Sequence, residues 1–208
     1  MCIIPIRKTD RVAMFINNNN LKECAGVNHI NSRVNYLELT SHLTSGRVLM
    51  YAKVYDSFRR NIDNSINYSL PNYLSGEGFT VCFRDSYDPC RKVQKEVDVD
   101  LATDLVLDAK MNLFDVAILV SGDGDMIPAV EKTKSLGKAV EVASFDGGTS
   151  EKLKRLATRH WNLSDAPIVE LMNRPYPIDL YAPEEAIADE RHAQRGFSRE
   201  CEDTVSQH

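Results

Sequence analysis

Five short apolar runs punctuate the chain: Val12–Ile16 (VAMFI), Val48–Tyr55 (VLMYAKVY), Phe79–Phe83 (FTVCF), Val116–Val120 (VAILV) and Ala139–Ala143 (AVEVA). Each has strand length and β-branched content. Several are apolar almost without interruption, the pattern of strands covered on both faces. Between them the apolar positions fall at helical spacing. Val34, Leu37 and Leu43 fit one helix, and Ile62, Ile66, Leu70 and Leu74 a second. Leu101, Leu105 and Met111 fit a third, and Ile127, Val130 and Leu136 a fourth, with Gly137 where a helix-ending glycine belongs. Beyond the fifth run, Asp146-Gly147-Gly148 signals a loop. Thr149 or Ser150 then caps a helix carrying Leu153, Leu156 and Trp161, and Ile168–Met172 is a short closing element. Strands alternating with helices predict an α/β fold, a Rossmann-like parallel sheet of about five strands flanked by helices.

The patterning divides the chain into an N-terminal extension over 1–10, a domain over 11–173 and a tail over 174–208. The tail, with three prolines, many charges and few large apolar residues, reads as extended or partly disordered, with a docked helix over Glu184–Arg195 as the alternative. A length of 208 residues and 43% hydrophobic content suit one domain with a sizeable core. The five cysteines (Cys2, Cys24, Cys82, Cys90 and Cys201) form no C-x-x-C pair, which argues against a disulfide framework or a zinc knuckle and for reduced thiols in a cytoplasm. The opening MCIIPIRKTD has neither the basic region nor the cleavage pattern of a signal, and no apolar run approaches the ~20 residues of a membrane span. A cytoplasmic protein without membrane contact is expected. The formal net charge of -5 argues mildly against a tight nucleic-acid binder, without excluding a local basic groove.

In a parallel sheet, ligands bind outside the carboxyl ends of the strands. The first run ends in Asn17-Asn18-Asn19-Asn20 and the fourth in Ser121-Gly122-Asp123-Gly124-Asp125. Two carboxylates separated by a glycine, directly after an apolar strand, are suited to a hard divalent ion. Gly122 and Gly124 are expected to let the backbone turn tightly. The plainer reading is a turn whose aspartates cap the helix near Met126, with Asp125 well placed to do so. A third acidic segment, Lys95 to Asp104, opens the third helix. Asp98 there suits the first turn and the helix dipole, and Asp100 and Asp104 share another face that is solvated on the plainer reading.

Taken together these segments resemble NYN domains, the LabA-like branch of the PIN nuclease superfamily. RVAMFINNNNL, Arg11 to Leu21, is similar to the family's first motif, a strand followed by Asp, a small or polar residue, Asn, Asn and an apolar residue. KEVDVDLATD, Lys95 to Asp104, resembles its second, and LVSGDGDMIP, Leu119 to Pro128, its third. LGKAVEVAS, Leu136 to Ser144, and the Thr-Ser start of the following helix also agree. The likeness runs from Arg11 to Met172. It implies a PIN-like sheet, an acidic pocket for Mg²⁺ or Mn²⁺, and a metal-dependent ribonuclease that hydrolyses RNA phosphodiester bonds by metal-activated water. Residue by residue it implies Asp98, Asp123 and Asp125 as catalytic acids and metal ligands. Asn20 and Ser121 would orient ligand or phosphate, and Asp104 would hold the pocket together.

The departure is Asn17, which stands at the catalytic and metal position where the family pattern has aspartate. Asparagine keeps the shape, loses a charge and gains an amide donor. The chain is then a naturally weakened or inactive member, or one whose aspartate was replaced deliberately. The intact remaining motifs favour the second. Arg59, Arg84 and Lys95 are candidate substrate-binding cations at the same edge, with Arg60, Arg91 and Lys92 nearby. Tyr51, Tyr55, Phe58 and Tyr87 are candidate base-stacking rings, although Tyr51 and Tyr55 suit core positions better. Lys152, Lys154, Arg155 and Arg159 mark a basic helix face that suits a nucleic-acid backbone or plain solvation. His29 and His42 read as packing or surface residues. RNA is the expected partner, with DNA open and a homodimer compatible. The competing class is an NYN-fold module that binds RNA or protein without cutting. A phosphatase-like enzyme is a third reading, lowered by the missing Asp-x-Asp motif.

Overall fold

The computed structural model describes residues 5–24, 32–60, 65–85, 93–165 and 169–171. In chain order the elements are β1 (Arg11–Asn17), α1 (Asn18–Cys24), β2 (Ser32–Val34), α2 (Tyr36–Thr44), β3 (Val48–Ser57), β4 (Arg59–Arg60), β5 (Ile66–Asn67), α3 (Ser69–Gly76), β6 (Thr80–Arg84), α4 (Val93–Lys110), β7 (Val116–Val120), α5 (Ile127–Ser135), β8 (Ala139–Ser144), α6 (Glu151–Leu156), β9 (Arg159–Asn162) and β10 (Val169–Leu171). The five apolar runs are all strands of one sheet, ordered β6-β3-β1-β7-β8-β9 and parallel throughout. β2 with β10, and β4 with β5, make small antiparallel ladders.

Strand alternation sends side chains to two cores. Val12, Met14 and Ile16 of β1 face Leu21, Leu39, Leu43 and Leu74. Ala13 and Phe15 face Val97, Leu101, Leu105, Val130 and Leu153. α1 to α3 therefore cover one face and α4 to α6 the other, which is why β1, β7 and β8 are buried on both sides. From β1 the chain moves outward through β3 to β6, then returns to β7 on the opposite side of β1. The crevice between β1 and β7 is the point where the winding reverses, the place such sheets use for ligands.

The sheet has six strands rather than five. The expected helix through Trp161 stops at Leu156, where Ala157 turns to extended backbone. Thr158 is then captured by β8: its N–H donates to the Val140 carbonyl at 2.7 Å and its Oγ1 accepts from the Val140 N–H at 3.2 Å. Trp161 consequently sits in edge strand β9, and its indole N–H donates to Glu141 Oε2 at 2.7 Å. The sixth strand escaped the pattern because RHWN has no apolar run.

Other helix limits also move. Val34 belongs to β2; Asn35 then caps α2 by accepting from the Glu38 N–H, so Tyr36, Leu39 and Leu43 form the buried stripe and Leu37 is exposed. Ile66 lies in β5, and α3 starts only at Ser69, whose N–H donates to Asn67 Oδ1. Met111 is past the end of α4 and exposed. Leu136 is the C-cap residue of α5 and more than a third exposed. Gly137, with φ of 81°, ends that helix as expected. The short closing element is β10. Ile62, His29, Tyr87, Arg91, Lys92, Ile168, Met172 and the tail over 174–208 lie outside the described residues.

Candidate functional site

Asn17 is the last residue of β1 and is 1% exposed. It points to the α4 face of the sheet, like Ala13 and Phe15 before it. There its Nδ2 donates to Asp98 Oδ1 at 2.8 Å. Its Oδ1 accepts from the Asn20 N–H at 3.2 Å. A backbone N–H can only donate, so this pair of bonds fixes the amide orientation, with the donor end towards Asp98. Asp98 is not in the first turn of its helix, as α4 begins at Val93. It is held at the sheet edge instead because Val97 and Leu101 anchor that part of α4 in the core.

Because β1 and β7 pair in parallel, with Ile16 beside Val120, the Asn17 and Ser121–Asp125 segments leave the sheet at the same edge. Asn20 links them: its Oδ1 accepts from the Gly122 N–H at 2.8 Å. Ser121 is 1% exposed, and its hydroxyl accepts from the Asp123 N–H at 3.2 Å, which shapes the loop. Asp123 Oδ1 accepts from the Asp125 N–H at 2.9 Å and caps the 3-10 turn Gly124–Met126. The capping acid is thus Asp123 rather than Asp125, which is left exposed.

The glycines act differently from expectation as well. Neither Gly122 nor Gly124 has a positive φ. A Cβ on Gly122 would instead collide with the Gly148 carbonyl, because the loop after β8 lies directly over the β7 loop. The Ser150 N–H donates to the Gly122 carbonyl at 2.9 Å and closes that contact. Thr149 Oγ1 donates to Ser144 Oγ at 2.6 Å, and Ser144 Oγ lies 2.9 Å from His160 Nε2, so β8 and β9 brace the covering loop.

Three carboxylates face one region. Burial raises the Asp98 pKa; the Asn17 donor lowers it, and the charges of Asp123 and Asp125 raise it again. The donors are of the kind a hard cation takes. Their arrangement is not a cation cage. Asp98 Oδ1 is taken by the Asn17 amide, Asp123 Oδ1 by a backbone N–H, and no three acidic, histidine or cysteine side chains gather around one point among the described residues. As the chain stands, these residues do not fit a tightly held divalent ion.

The remaining candidates are dispersed. Arg84 is the last residue of the edge strand β6 and donates to Asp100, with Nη2 to Oδ1 at 2.8 Å. Lys95 is exposed in the first turn of α4, and Arg59 lies in β4. Asp104 accepts from Lys53 at 2.9 Å and Tyr55 at 2.8 Å, so it is not merely solvated, and it supports the sheet below the site. Tyr55 is fully buried, and the Tyr51 hydroxyl donates to Asp108, as suits core positions. Phe58 packs edge-on against Phe83 and Tyr68, and His42 against Trp161.

One polar group at this edge was missed. Asp56, 4% exposed near the carboxyl end of β3, accepts from Asn18 Nδ2 and Lys22 Nζ, both at 2.6 Å, and from the Ser57 N–H. Tyr36 OH donates to Asn18 Oδ1. This network fastens α1 to β3 and so fixes where Asn17 and Asn20 stand. The available signal was an acid ending an apolar strand, the same signal that drew attention to Asp123.

Comparison with known proteins bears on the fold and the family. No curated protein matches the sequence. A solved structure of a protein of unknown function from Vibrio parahaemolyticus shares the fold, with a TM-score of 0.63 and 22% identity over 78% of this chain and 98% of that one. No described helix is long and apolar enough to cross a membrane. The NYN domain family matches residues 11–164, the stretch that contains the whole sheet and every element of the site. The chain belongs to the NYN domain family, within the PIN-like nuclease superfamily.

Proposed function

We propose that this domain is an RNA endonuclease of the NYN type, hydrolysing phosphodiester bonds with Mg²⁺ or Mn²⁺, and that Asn17 holds this chain in a weakened or inactive form. The observation that carries the reading is the Asn17–Asp98 hydrogen bond. An aspartate at 17 would keep its Asn20 bond and turn an oxygen, not an N–H, towards Asp98. Two carboxylates would then meet beside Asp123 and Asp125, a repulsion that a divalent ion relieves. With asparagine the amide satisfies Asp98 instead, and the demand for a cation falls. Asn20 has a role in binding: its Oδ1 holds Gly122, and its amide donor, without a partner among the described residues, is available to a phosphate oxygen.

The same hydrogen bond favours a second reading, an NYN module that binds RNA without cutting it. One assay separates them. The Asn17→Asp variant is expected to cleave RNA about 100-fold or more faster than the parent chain with Mn²⁺ or Mg²⁺, as the placement of one catalytic group commonly costs that much. The gain must disappear with EDTA, and again when Asp123→Asn is added to Asn17→Asp. An Asn17→Asp variant that stays inert on structured RNA, unstructured RNA and DNA with both metals leaves the binding module as the function.

A further inference from the structure

Several basic side chains of the folded domain are turned to internal partners. Lys22 is spent on Asp56, Arg47 on Glu141, Lys53 on Asp104 and Asp108, Arg84 on Asp100, and Arg11 on Asp115. α6 is different. Lys152 and Arg155 are exposed, three apart and so on one side of the helix, and neither has an ion-pair or hydrogen-bond partner among the described residues. The acid of the same helix, Glu151, is occupied by Lys154 at 3.3 Å. Just beyond α6, Arg159 is exposed, with its guanidinium 3.6 Å from the centre of the Trp161 ring. Lys134, on the neighbouring helix α5, donates to the Leu156 carbonyl and fixes the end of α6.

The position of α6 gives these charges their meaning. Its leading loop, Gly148 to Ser150, is the segment clasped to Gly122, and Ser150 also packs beside Gly124. Lys152 therefore stands in the first turn of the helix whose N-cap, Ser150, is clasped to the acidic loop, and Arg155 follows one turn on. A protein of net charge -5 that leaves unpaired cations running from its acidic edge has a surface suited to a polyanion.

We infer that the exposed side of α6 forms a track for the phosphate backbone of single-stranded RNA leaving the acidic edge. Lys152 and Arg155 pair with successive phosphates on the α6 side of the sheet, whereas Arg159, stacked on Trp161, stands on the α2 side and takes no part. This rests on the RNA reading given above for the choice of ligand and adds where that ligand lies. The track reads no sequence, because phosphate contacts position a strand without specifying its bases. It acts without a metal, so it serves this Asn17 chain and an Asn17→Asp variant alike.

The test is binding of a labelled oligouridine to the full chain in EDTA, followed by fluorescence anisotropy across a salt series. Lys152→Gln with Arg155→Gln is expected to weaken binding by roughly tenfold and to flatten the slope of log affinity against log salt by about 1.4, since each single-strand phosphate contact contributes about 0.7. The matched control is Lys8→Gln with Lys110→Gln, two exposed positions with the same loss of charge, one before β1 and one at the end of α4, away from the carboxyl edge. The control is expected to change affinity less than about twofold, because screened distant charges contribute little. Equal weakening by both pairs overturns the track, leaving only net charge at work. Absence of binding by the parent chain overturns the track and the RNA reading together. Cleavage of RNA by Asn17→Asp, with affinity untouched by the Lys152 and Arg155 changes, removes the track and keeps the nuclease.

Discussion

At Gly122 a single hydrogen atom separates a formed site from a displaced one. Any side chain there meets the Gly148 carbonyl and the Thr149 backbone, which cannot swing aside as a flexible side chain does. Gly122→Ala is expected to cost about 1–3 kcal/mol, the usual range for overpacking. Gly124→Ala meets side chains alone, Ser150 at 3.3 Å and Ile127 at 3.9 Å, and should cost less. Urea denaturation of the two variants checks the order; equal midpoints would mean that the two loops do not meet as described. Asp115 offers a second test at this scale. The Arg11 guanidinium, followed by the Arg11 backbone N–H, outweighs desolvation and holds its pKa down, from 3.8 to about 2. The folded state thus binds this proton less readily than the unfolded state. The stabilisation is fully present above about pH 4 and is lost as pH falls towards 2. Stability measured against pH should fall less steeply across that interval in Asp115→Asn than in the parent chain.

Among the elements, β8 and β9 depend on one buried ion pair. Glu141 lies in the middle of β8 with no exposure, bonded to both terminal nitrogens of Arg47 at 2.7 and 3.0 Å and to the Trp161 indole. Arg47 also donates to the Leu43 and Thr44 carbonyls at the end of α2. Removing one partner strands a buried charge, so Glu141→Ala is expected to destabilise by about 3–5 kcal/mol. Replacing both, as Arg47→Met with Glu141→Leu, should recover most of that loss. Denaturant midpoints for the single and double variants decide it, and a double variant no better than the single would show that the Trp161 bond matters more than the charge pair. Glu141 also shows where sequence patterning stops. AVEVA reads correctly as a strand, but nothing local tells that its glutamate is buried, because its partner stands 94 positions away.

Over the whole molecule, the sequence discloses what is local and repetitive. The five apolar runs, the alternation with helices and the two polar strand ends follow from side-chain periodicity, which is why the sheet and the Asn17 and Asp123 edge were legible. Strand order was not, because it depends on crossovers that periodicity does not encode. β9 was hidden by its polar composition and by a pattern that let a helix run on through Trp161. The Asp56 network was hidden because Asn18, Lys22, Tyr36 and Asp56 come from three separate elements. Within the site, the residue types were legible while their duties were not: Asp123 caps, Ser121 shapes its own loop and Asn20 ties two strand ends.

The clasp of Ser150 on Gly122 has a consequence for synthesis. Asn17 emerges from the ribosome early, but the strand beside it, β7, arrives about a hundred residues later, and the loop that closes over β7 later still. The central pairing of β1 with β7 and the covering by Gly148 to Ser150 are contacts of long sequence separation, which form slowly and late. A nascent chain therefore carries Asn17 without its acidic neighbours for roughly the first half of its translation. The assembled edge, and with it whatever the edge binds, comes into being only when nearly the whole domain has left the ribosome.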